Sequence, residues 1–457
     1  LSASKDQSQH PLDALQGFLQ ARRKDSPTVN SLVVALSGGP DSLALLLAAA
    51  QLAPQLGYDL RALHVHHGLH ADADRWAEQA VQQAAAVNVC CQVLHVRVAQ
   101  QASVEAAARQ ARYDALAQAM APHEALLLAH HQDDQAETLL LRLMRGAGLQ
   151  GLSGMAEVSA WSSGAIVEIA RWRPWLALPR QTIARWLPRA VACCHSHAPH
   201  LPLTALQPVQ DPANQDARFD RTLMRGQVLP LLTSRWPEAA ALLARSAAQL
   251  AQQAQALNSL ADIWLAGQPH VRTLSVAALS SLDNASIQAV LSRWLSLQKA
   301  SPLPVAYWSR VTIELLEARQ DANPVLHWSN LSLRRFQGQI FLVRDAELMA
   351  LPEGIPWDNP QQALHWAGKT WLPLGLAPDH HLWQKPWRIS PRQGGERWRP
   401  AGRAHHVLLK HWCQDQAIPP WQRQAIACIW AGETVVCIVT PEPQMWLAHE
   451  VMQQELL

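Results

Sequence analysis

No stretch of this sequence stays apolar for the roughly 20 residues that a membrane-spanning helix needs. The first residues, Leu1 to His10, are polar and hold no short apolar core of the kind a cleavable leader carries. The expectation is a soluble, cytoplasmic protein with no membrane partner. Disulfide-like spacing is missing too, because the seven cysteines (Cys90, Cys91, Cys193, Cys194, Cys413, Cys428, Cys437) are odd in number and irregularly placed. Reduced thiols are the simple reading. An excess of either charge is missing: 38 Lys and Arg face 36 Asp and Glu, a formal net charge of +2, so any polyanion would have to be held by a local patch rather than by the whole surface. Internal repeats and low-complexity tails are absent, which leaves solenoids aside.

What remains is a chain of 457 residues with 49% hydrophobic composition, long enough for about three domains. From Ser31 to about Arg189, short apolar runs alternate with longer helical patterns, the signature of a parallel sheet covered by helices. The expected strands are Leu32–Leu36, Arg61–His66, Cys91–Val96, Ala125–Ala129 and Ile166–Ala170. Ligands of such sheets bind beyond the carboxyl ends of the strands, so chemistry is sought just after Leu36, His66 and Ala129. Past Arg189 a Pro-, His- and Cys-rich stretch reads as a loop. Arg235 to Leu265, rich in Ala, Gln and Leu, reads as helix, and strand-like alternation returns between Ser329 and Val343. The expected domains are 1–229, 230–345 and 346–457: an α/β domain, a mainly helical one and a small α+β one.

The segment Leu32 to Leu47 carries the strongest signal. An apolar strand runs into Ser37, Gly38, Gly39, Pro40, Asp41 and Ser42, and an apolar helix follows. Glycines let backbone N–H groups approach an anion, the helix terminus adds partial positive charge, and the serines add donors. A Walker A loop needs a longer glycine spacing and a lysine, and neither is here. Asp41 suggests Mg²⁺ held beside phosphates instead.

After the fourth strand, Asp133, Asp134 and Glu137 gather at a helix start, Asp133 and Glu137 sharing a face. They suit a cationic amino acid or Mg²⁺; alone, such acids often do no more than complement the helix dipole. Arg109 and Arg112, three apart on a predicted helix, can face phosphates or developing charge, or form surface salt bridges. His64, His66, His67 and His70 lack ligands at metal spacing, and Cys193, Cys194, His195, His197 and His200 do not match zinc-knuckle spacing and read as a surface loop. Between Arg388 and Arg423, Arg392, Arg397, Arg399, Arg403 and Lys410 alternate with Trp398, Trp412 and Trp421. That composition fits a phosphate-and-stacking surface and equally a barrel face whose tryptophans are core.

The Ser37–Ser42 loop resembles that of the PP-loop ATP pyrophosphatases. Several further segments are similar to the tRNA(Ile)-lysidine synthase branch of that superfamily: His64–Leu69; Glu105–Tyr113; His131–Thr138; Arg145–Gly148 with Gly151–Met155; Asp211–Asn214 with Arg221 and Arg225; and Arg392–Arg397 with Pro419–Trp421. The resemblance covers nearly the whole chain. It implies a HUP-like parallel sheet with helices on both faces. It also implies an ATP- and Mg²⁺-dependent ligase joining free L-lysine to C2 of the wobble cytidine of the CAU anticodon of tRNA(Ile), through an adenylated cytidine, with a homodimer as one oligomeric state.

By the same resemblance Ser37, Gly38, Gly39, Pro40, Asp41, Ser42 and His66 would bind the nucleotide, with Asp41 placing Mg²⁺. Asp41, Arg112, Asp133, Asp134 and Glu137 would be catalytic. Arg109, Arg112, Asp133, Glu137, Arg392, Arg397, Arg399 and Lys410 would contact lysine or tRNA. Thr222 and Ala213 depart from the family pattern, where Asn and a small hydroxyl residue are usual. A tRNA thiolase is the enzyme rival, but Cys90 and Cys91 have no Cys-x-x-Cys partner. A catalytically dead RNA-binding protein is the rival from another class, and it would not need the acids.

Overall fold

The computed structural model describes residues 10–68, 70–97, 104–161, 169–197, 203–210, 220–269, 272–319, 322–441 and 445–452. The Asp211–Asn214 motif, Leu69 and His200 lie outside them. The chain divides into two compact units, Leu1–Ala256 and Leu257–Leu457.

In the first unit, helix α1 (Pro11–Asp25) precedes strand β1 (Ser31–Ala35) and helix α2 (Pro40–Leu52). Then come β2 (Asp59–His66), α3 (Ala73–Ala85), β3 (Cys90–His95), α4 (Val104–Ala119), β4 (Glu124–Leu127) and α5 (Gln132–Met144). The short α6 (Leu149–Leu152), β5 (Val158–Trp161), β6 (Ile169–Trp172) and α7 (Arg180–His197) follow. The unit closes with α8 (Asp220–Leu223), a π-helical turn (Met224–Val228), α9 (Leu229–Arg235) and the start of α10 (Ala239–Ala266).

Among the described residues the strands form a sheet of order β3-β2-β1-β4-β6-β5, parallel except for β5. Leu32, Val33 and Val34 of β1 are fully buried, as expected of a central parallel strand covered on both faces. One face packs on α1, α2 and α7 through residues such as Leu15, Leu45 and Ile183. The other packs on α4 through Leu116 and Ala117, with Met120 just beyond its end. Helix α2 is buried on nearly every side, which explains why its sequence shows no polar stripe. The antiparallel edge strand β5 was not expected; its four residues, Val-Ser-Ala-Trp, carry too short a pattern to signal a strand.

Successive strands run outward from β1 to β2 and β3, then the chain returns to place β4 on the other side of β1. The order therefore reverses between β1 and β4, and a crevice opens there beyond the carboxyl ends of the strands.

The stretch after Arg189 needs correction. Helix α7 continues to His197, carrying Pro188, Cys193, Cys194, His195 and His197 within it. Ala190, Val191 and Cys194 pack against the core, so burial of one helical stripe outweighs the prolines and histidines that suggested a loop.

In the second unit, one core gathers Leu291, Trp294, Leu315 and Leu333 from helices and an antiparallel sheet of strands Thr273–Ser275, Val325–Trp328, Leu331–Phe336 and Gln339–Arg344. Further on, Trp387–Pro391, Ala427–Ala431 and Thr434–Val439 form the centre of a five-stranded sheet with its own core. Among the described residues no helix is long and apolar enough to cross a membrane.

Candidate active site

The Ser37–Ser42 loop leaves β1 and becomes the N-terminus of α2 at the crevice. Gly38 takes φ +84°, a backbone that L side chains rarely adopt. Its carbonyl accepts from Val209 N at 2.9 Å and from Gln83 Nε2 at 3.0 Å. Ser42 Oγ accepts from Ser37 N at 3.2 Å and donates to Gly39 O at 3.0 Å, which folds the loop on itself. Gly39 is the N-cap and supplies no side chain, and Pro40 has no N–H, so the N–H groups of Asp41 and Ser42 are the first that α2 offers an anion. Gln83 was missed by sequence reasoning. It is fully buried and also donates to Gln207 O at 2.9 Å, and its signal was a lone amide in the Ala77–Ala80–Ala84 buried stripe of α3.

Across the crevice, His131 caps α5. Its Nδ1 accepts from Asp134 N at 3.3 Å while Asp134 Oδ2 accepts from His131 N at 3.0 Å, a reciprocal capping box. Because Nδ1 accepts, a ring proton sits on Nε2, which lies 3.7 Å from Asp41 Oδ2 and 3.4 Å from Asp134 Oδ2. Arg180 Nε also stands 3.7 Å from Asp41 Oδ2. Asp133 accepts the first backbone N–H of α7, Arg180 N, at 3.0 Å. Pro40, Asp41, Asp133 and Arg180 line a cleft of about 380 Å³.

The three acids of α5 separate into two environments. Asp133 faces the cleft beside Asp41, whereas Asp134 and Glu137 are buried and bound to arginines. Arg225 Nε donates to Glu137 Oε1 at 2.6 Å and its Nη2 to Asp134 Oδ1 at 2.8 Å. Arg221 Nε reaches Glu137 Oε2 at 2.9 Å and its Nη2 the same Asp134 oxygen at 2.8 Å. Burial opposes ionisation of Asp134, but His131, Arg221, His130 and Arg225 overrule it and hold its carboxyl down at about 2. The expected grouping of Asp133 with Glu137 on one face followed helical spacing; the arginines brought in by α8 and the π turn pair Glu137 with Asp134 instead.

At the end of β2, His64 Nδ1 donates to Leu36 O at 2.9 Å and so ties β2 beneath the loop; its burial lowers its pKa. His66 Nε2 pairs with Asp74 Oδ1 at 2.9 Å, and its ring packs at a tilt against His95. Arg112 Nε donates to His67 Nε2 at 3.2 Å, and burial plus that cation push His67 down to about 4. Arg109 lies over the ring of Tyr113, 5.3 Å from its centroid.

Arg392, Arg397, Arg399 and Lys410 belong to the second unit. Arg392 is 3.7 Å from Glu396, whose carboxylate accepts from Gln393 N and Gly394 N in a turn with Gly394 at φ +102°. Arg397 and Lys410 are exposed, and Arg399 Nε donates to Arg403 O at 3.0 Å. Trp398 and Trp412 are core residues in edge-to-face contact, so neither offers a ring for stacking. Trp421 is half-buried against Phe336 and Phe341, with Arg334 over its ring. The stacking half of the compositional reading is thereby corrected for Trp398 and Trp412: apolar area and edge-to-face geometry favour their burial.

A strand, a glycine-bearing loop without lysine, a helix N-terminus and an acid in its first turn, all at the switch point of a parallel sheet, define a PP-loop nucleotide-binding enzyme, and residues 13–232 match the family model described as PP-loop domain. Residues 274–341 match the TilS substrate binding domain and 387–443 the TilS substrate C-terminal domain. The tRNA(Ile)-lysidine synthase of Xanthomonas axonopodis pv. citri is 38% identical over 91% of this chain and 91% of that protein, and that of Escherichia coli O157:H7 is 35% identical over 90% and 91%. Among solved structures, the U34-tRNA thiolase NcsA from Methanococcus maripaludis is similar at 15% identity and a TM-score of 0.39, over 52% of this chain and 79% of that one. The chain belongs to the tRNA(Ile)-lysidine synthase family, whose members are ATP-using ligases.

Proposed function

We propose that this enzyme ligates free L-lysine to C2 of the wobble cytidine (position 34) in the CAU anticodon of a cytoplasmic tRNA(Ile), converting its codon specificity from AUG to AUA. The observation that carries the reading is the pairing of Asp41, at the end of the phosphate loop, with Asp133 across one cleft. O2 of the cytidine takes the α-phosphorus of ATP as the α–β anhydride breaks, and the N–H groups of the Ser37–Ser42 loop and the α2 terminus hold the leaving pyrophosphate. Two carboxylates on one cleft are a hard-oxygen donor set that suits Mg²⁺, and Asp41 would hold it, supplying charge neutralisation at the phosphates. AMP is then the leaving group as the lysine ε-amine attacks C2.

Asp133 is the proposed seat for the ammonium of lysine and the candidate to take its proton. Asp134 and Glu137, saturated by Arg221 and Arg225, act by setting the position of α5. Arg112 stabilises developing charge, His66 lies beside the nucleotide, and Arg109 contacts the RNA. Residues 1–229 form the catalytic domain, 230–345 help place the anticodon loop, and Arg392, Arg397, Arg399 and Lys410 within 346–457 grip tRNA phosphates. A homodimer is the proposed assembly.

The test is incubation with ATP, Mg²⁺, lysine and a CAU-anticodon tRNA(Ile) transcript, followed by nucleoside mass spectrometry. The expected result is an ATP-dependent lysine adduct on one cytidine, abolished by Asp41→Ala. Release of AMP and pyrophosphate without an adduct would keep the nucleotide chemistry and overturn the acceptor.

A further inference from the structure

Beyond the phosphate loop, the first unit holds a second concentration of positive charge at the carboxyl end of β6. Arg171 lies in β6, Arg173 directly follows it, and Arg109 and Tyr113 share a face of α4 one turn apart. The guanidiniums of Arg109 and Arg171 both lie on the Tyr113 ring, 5.3 and 5.4 Å from its centroid. Tyr113 in turn meets Trp161 edge to face at 5.2 Å. Arg171 Nε donates to Ser159 Oγ at 3.1 Å. Arg173 is 4% exposed; it donates to the neutral His130 Nδ1 at 3.3 Å, Ala156 O at 2.6 Å and Ser159 Oγ at 3.2 Å, and the Tyr113 hydroxyl is a further partner. Among the described residues, none of Arg109, Arg171 and Arg173 is ion-paired with a carboxylate.

Like charges gathered without acids raise the free energy of the folded chain unless an anion joins them. The cost is visible in the side chains themselves. Burial, then Arg171 and Arg109, draw Arg173 down to about 10, and burial with Arg173, Arg221 and Arg109 draws His130 down to about 3 against the pull of Asp134. His130 is next to His131, which reaches Asp41, so the cluster flanks the same crevice. Exposure falls from Arg109 through half-buried Arg171 to buried Arg173, a graded approach from solvent inward.

We propose that Arg109, Tyr113, Arg171 and Arg173 form a second anion subsite, separate from the phosphate loop, which takes a phosphodiester of the RNA strand that delivers the reacting base. The inference rests on the reading of the substrate as RNA. A single amino-acid carboxylate is satisfied by one bidentate arginine, whereas guanidiniums spread from surface to interior match successive charges of a backbone. Contact with the Tyr113 ring, together with the bond from Arg171 Nε to Ser159 Oγ, orders Arg109 and Arg171 in advance and leaves terminal N–H groups for phosphate oxygens. Phosphate contacts of this kind position the strand and carry no base information.

The experiment compares the full-length enzyme with Arg171→Ala, Arg171→Lys and Arg109→Ala, the last at an exposed position where folding is not at stake. Affinity for the tRNA transcript is measured over a salt series, with KM for lysine and affinity for ATP measured in parallel. Each alanine variant is expected to bind tRNA about tenfold more weakly and to lower the slope of log affinity against log salt by about one. Arg171→Lys should restore the slope, and the lysine KM and ATP affinity should not move. Unchanged tRNA affinity with a raised lysine KM would overturn the proposal in favour of a carboxylate subsite, and no change in any quantity would make the cluster purely structural. If the wild-type enzyme left no lysine on the RNA while the variants still lost salt-dependent RNA binding, the reaction assignment would fall and the subsite would stand.

Discussion

Arg225 holds Glu137 through a 2.6 Å bond from Nε to Oε1, and Glu137 is 1% exposed. The same arginine reaches Asp134, and Arg221 repeats the arrangement, so the acids nearest the centre of α5 are already matched by cations of the chain. Asp133, one residue away, is left to the cleft.

This division predicts opposite phenotypes for neighbouring acids. Glu137→Ala strands two arginines and should cost about 3–5 kcal/mol of stability. Asp133→Ala loses one hydrogen bond to Arg180 N and should cost about 1 kcal/mol, while lysine transfer falls by orders of magnitude. Urea melts beside single-turnover assays check both; equal stability losses would contradict the separation.

Gly38→Ala should abolish ATP binding. Its φ of +84° penalises any Cβ by about 1 kcal/mol, and the added atom would lie 2.9 Å from Val209 Cγ2. Calorimetric titration with ATP is the check. Val209→Ala in the same chain relieves the contact but not the backbone, so only partial recovery is expected.

Gln83→Leu keeps the volume of a buried side chain but removes its bonds to Gly38 O and Gln207 O. A raised KM for ATP with an unchanged KM for lysine is expected, because the change acts on the loop from behind. Steady-state kinetics with each substrate varied will read it.

His67 titrates near 4 in the folded chain, below its ordinary 6.5, because burial and Arg112 disfavour its cation. A histidine with a depressed folded pKa is protonated first in the unfolded chain, so its contribution to stability is full above about 6.5 and is lost as pH falls toward 4. His67→Gln should flatten the stability profile across that window in pH-dependent urea melts. Asp134 acts in a lower window: its contribution is present above about 4 and lost as pH falls through about 2.

Trp412→Ala should destabilise the second unit by about 3–5 kcal/mol, as for a core aromatic. Lys410→Ala, on the exposed side of the short helix Leu409–Asp415 that carries both residues, should leave the melting curve unchanged and weaken tRNA binding. Differential calorimetry and a binding isotherm distinguish the two.

Local pattern alone was enough for the strand, loop and helix from Leu32 to Leu47, because an apolar run ending in Ser-Gly-Gly-Pro-Asp-Ser has few ways to place its backbone. The strands β1 to β4 were legible as apolar runs bounded by helical patterns; of the expected Ile166–Ala170 only Ile169 and Ala170 lie among the described residues, where β6 continues to Trp172. Other decisions depended on distant partners. Asp133, Asp134 and Glu137 are equivalent by type and spacing, and only the arrival of Arg221 and Arg225, more than eighty residues later in the chain, separates their roles. Trp398 and Trp412 look like stacking platforms until the sheet beneath them claims their area, and Cys193 to His197 look like a loop until Ala190, Val191 and Cys194 bury a helical stripe. Sequence by itself determined the chemistry available at the phosphate loop, since backbone conformation there is a local property. Tertiary structure decided which charges face the substrate and which neutralise one another, because Coulomb partners and burial are set by contacts that no local window contains.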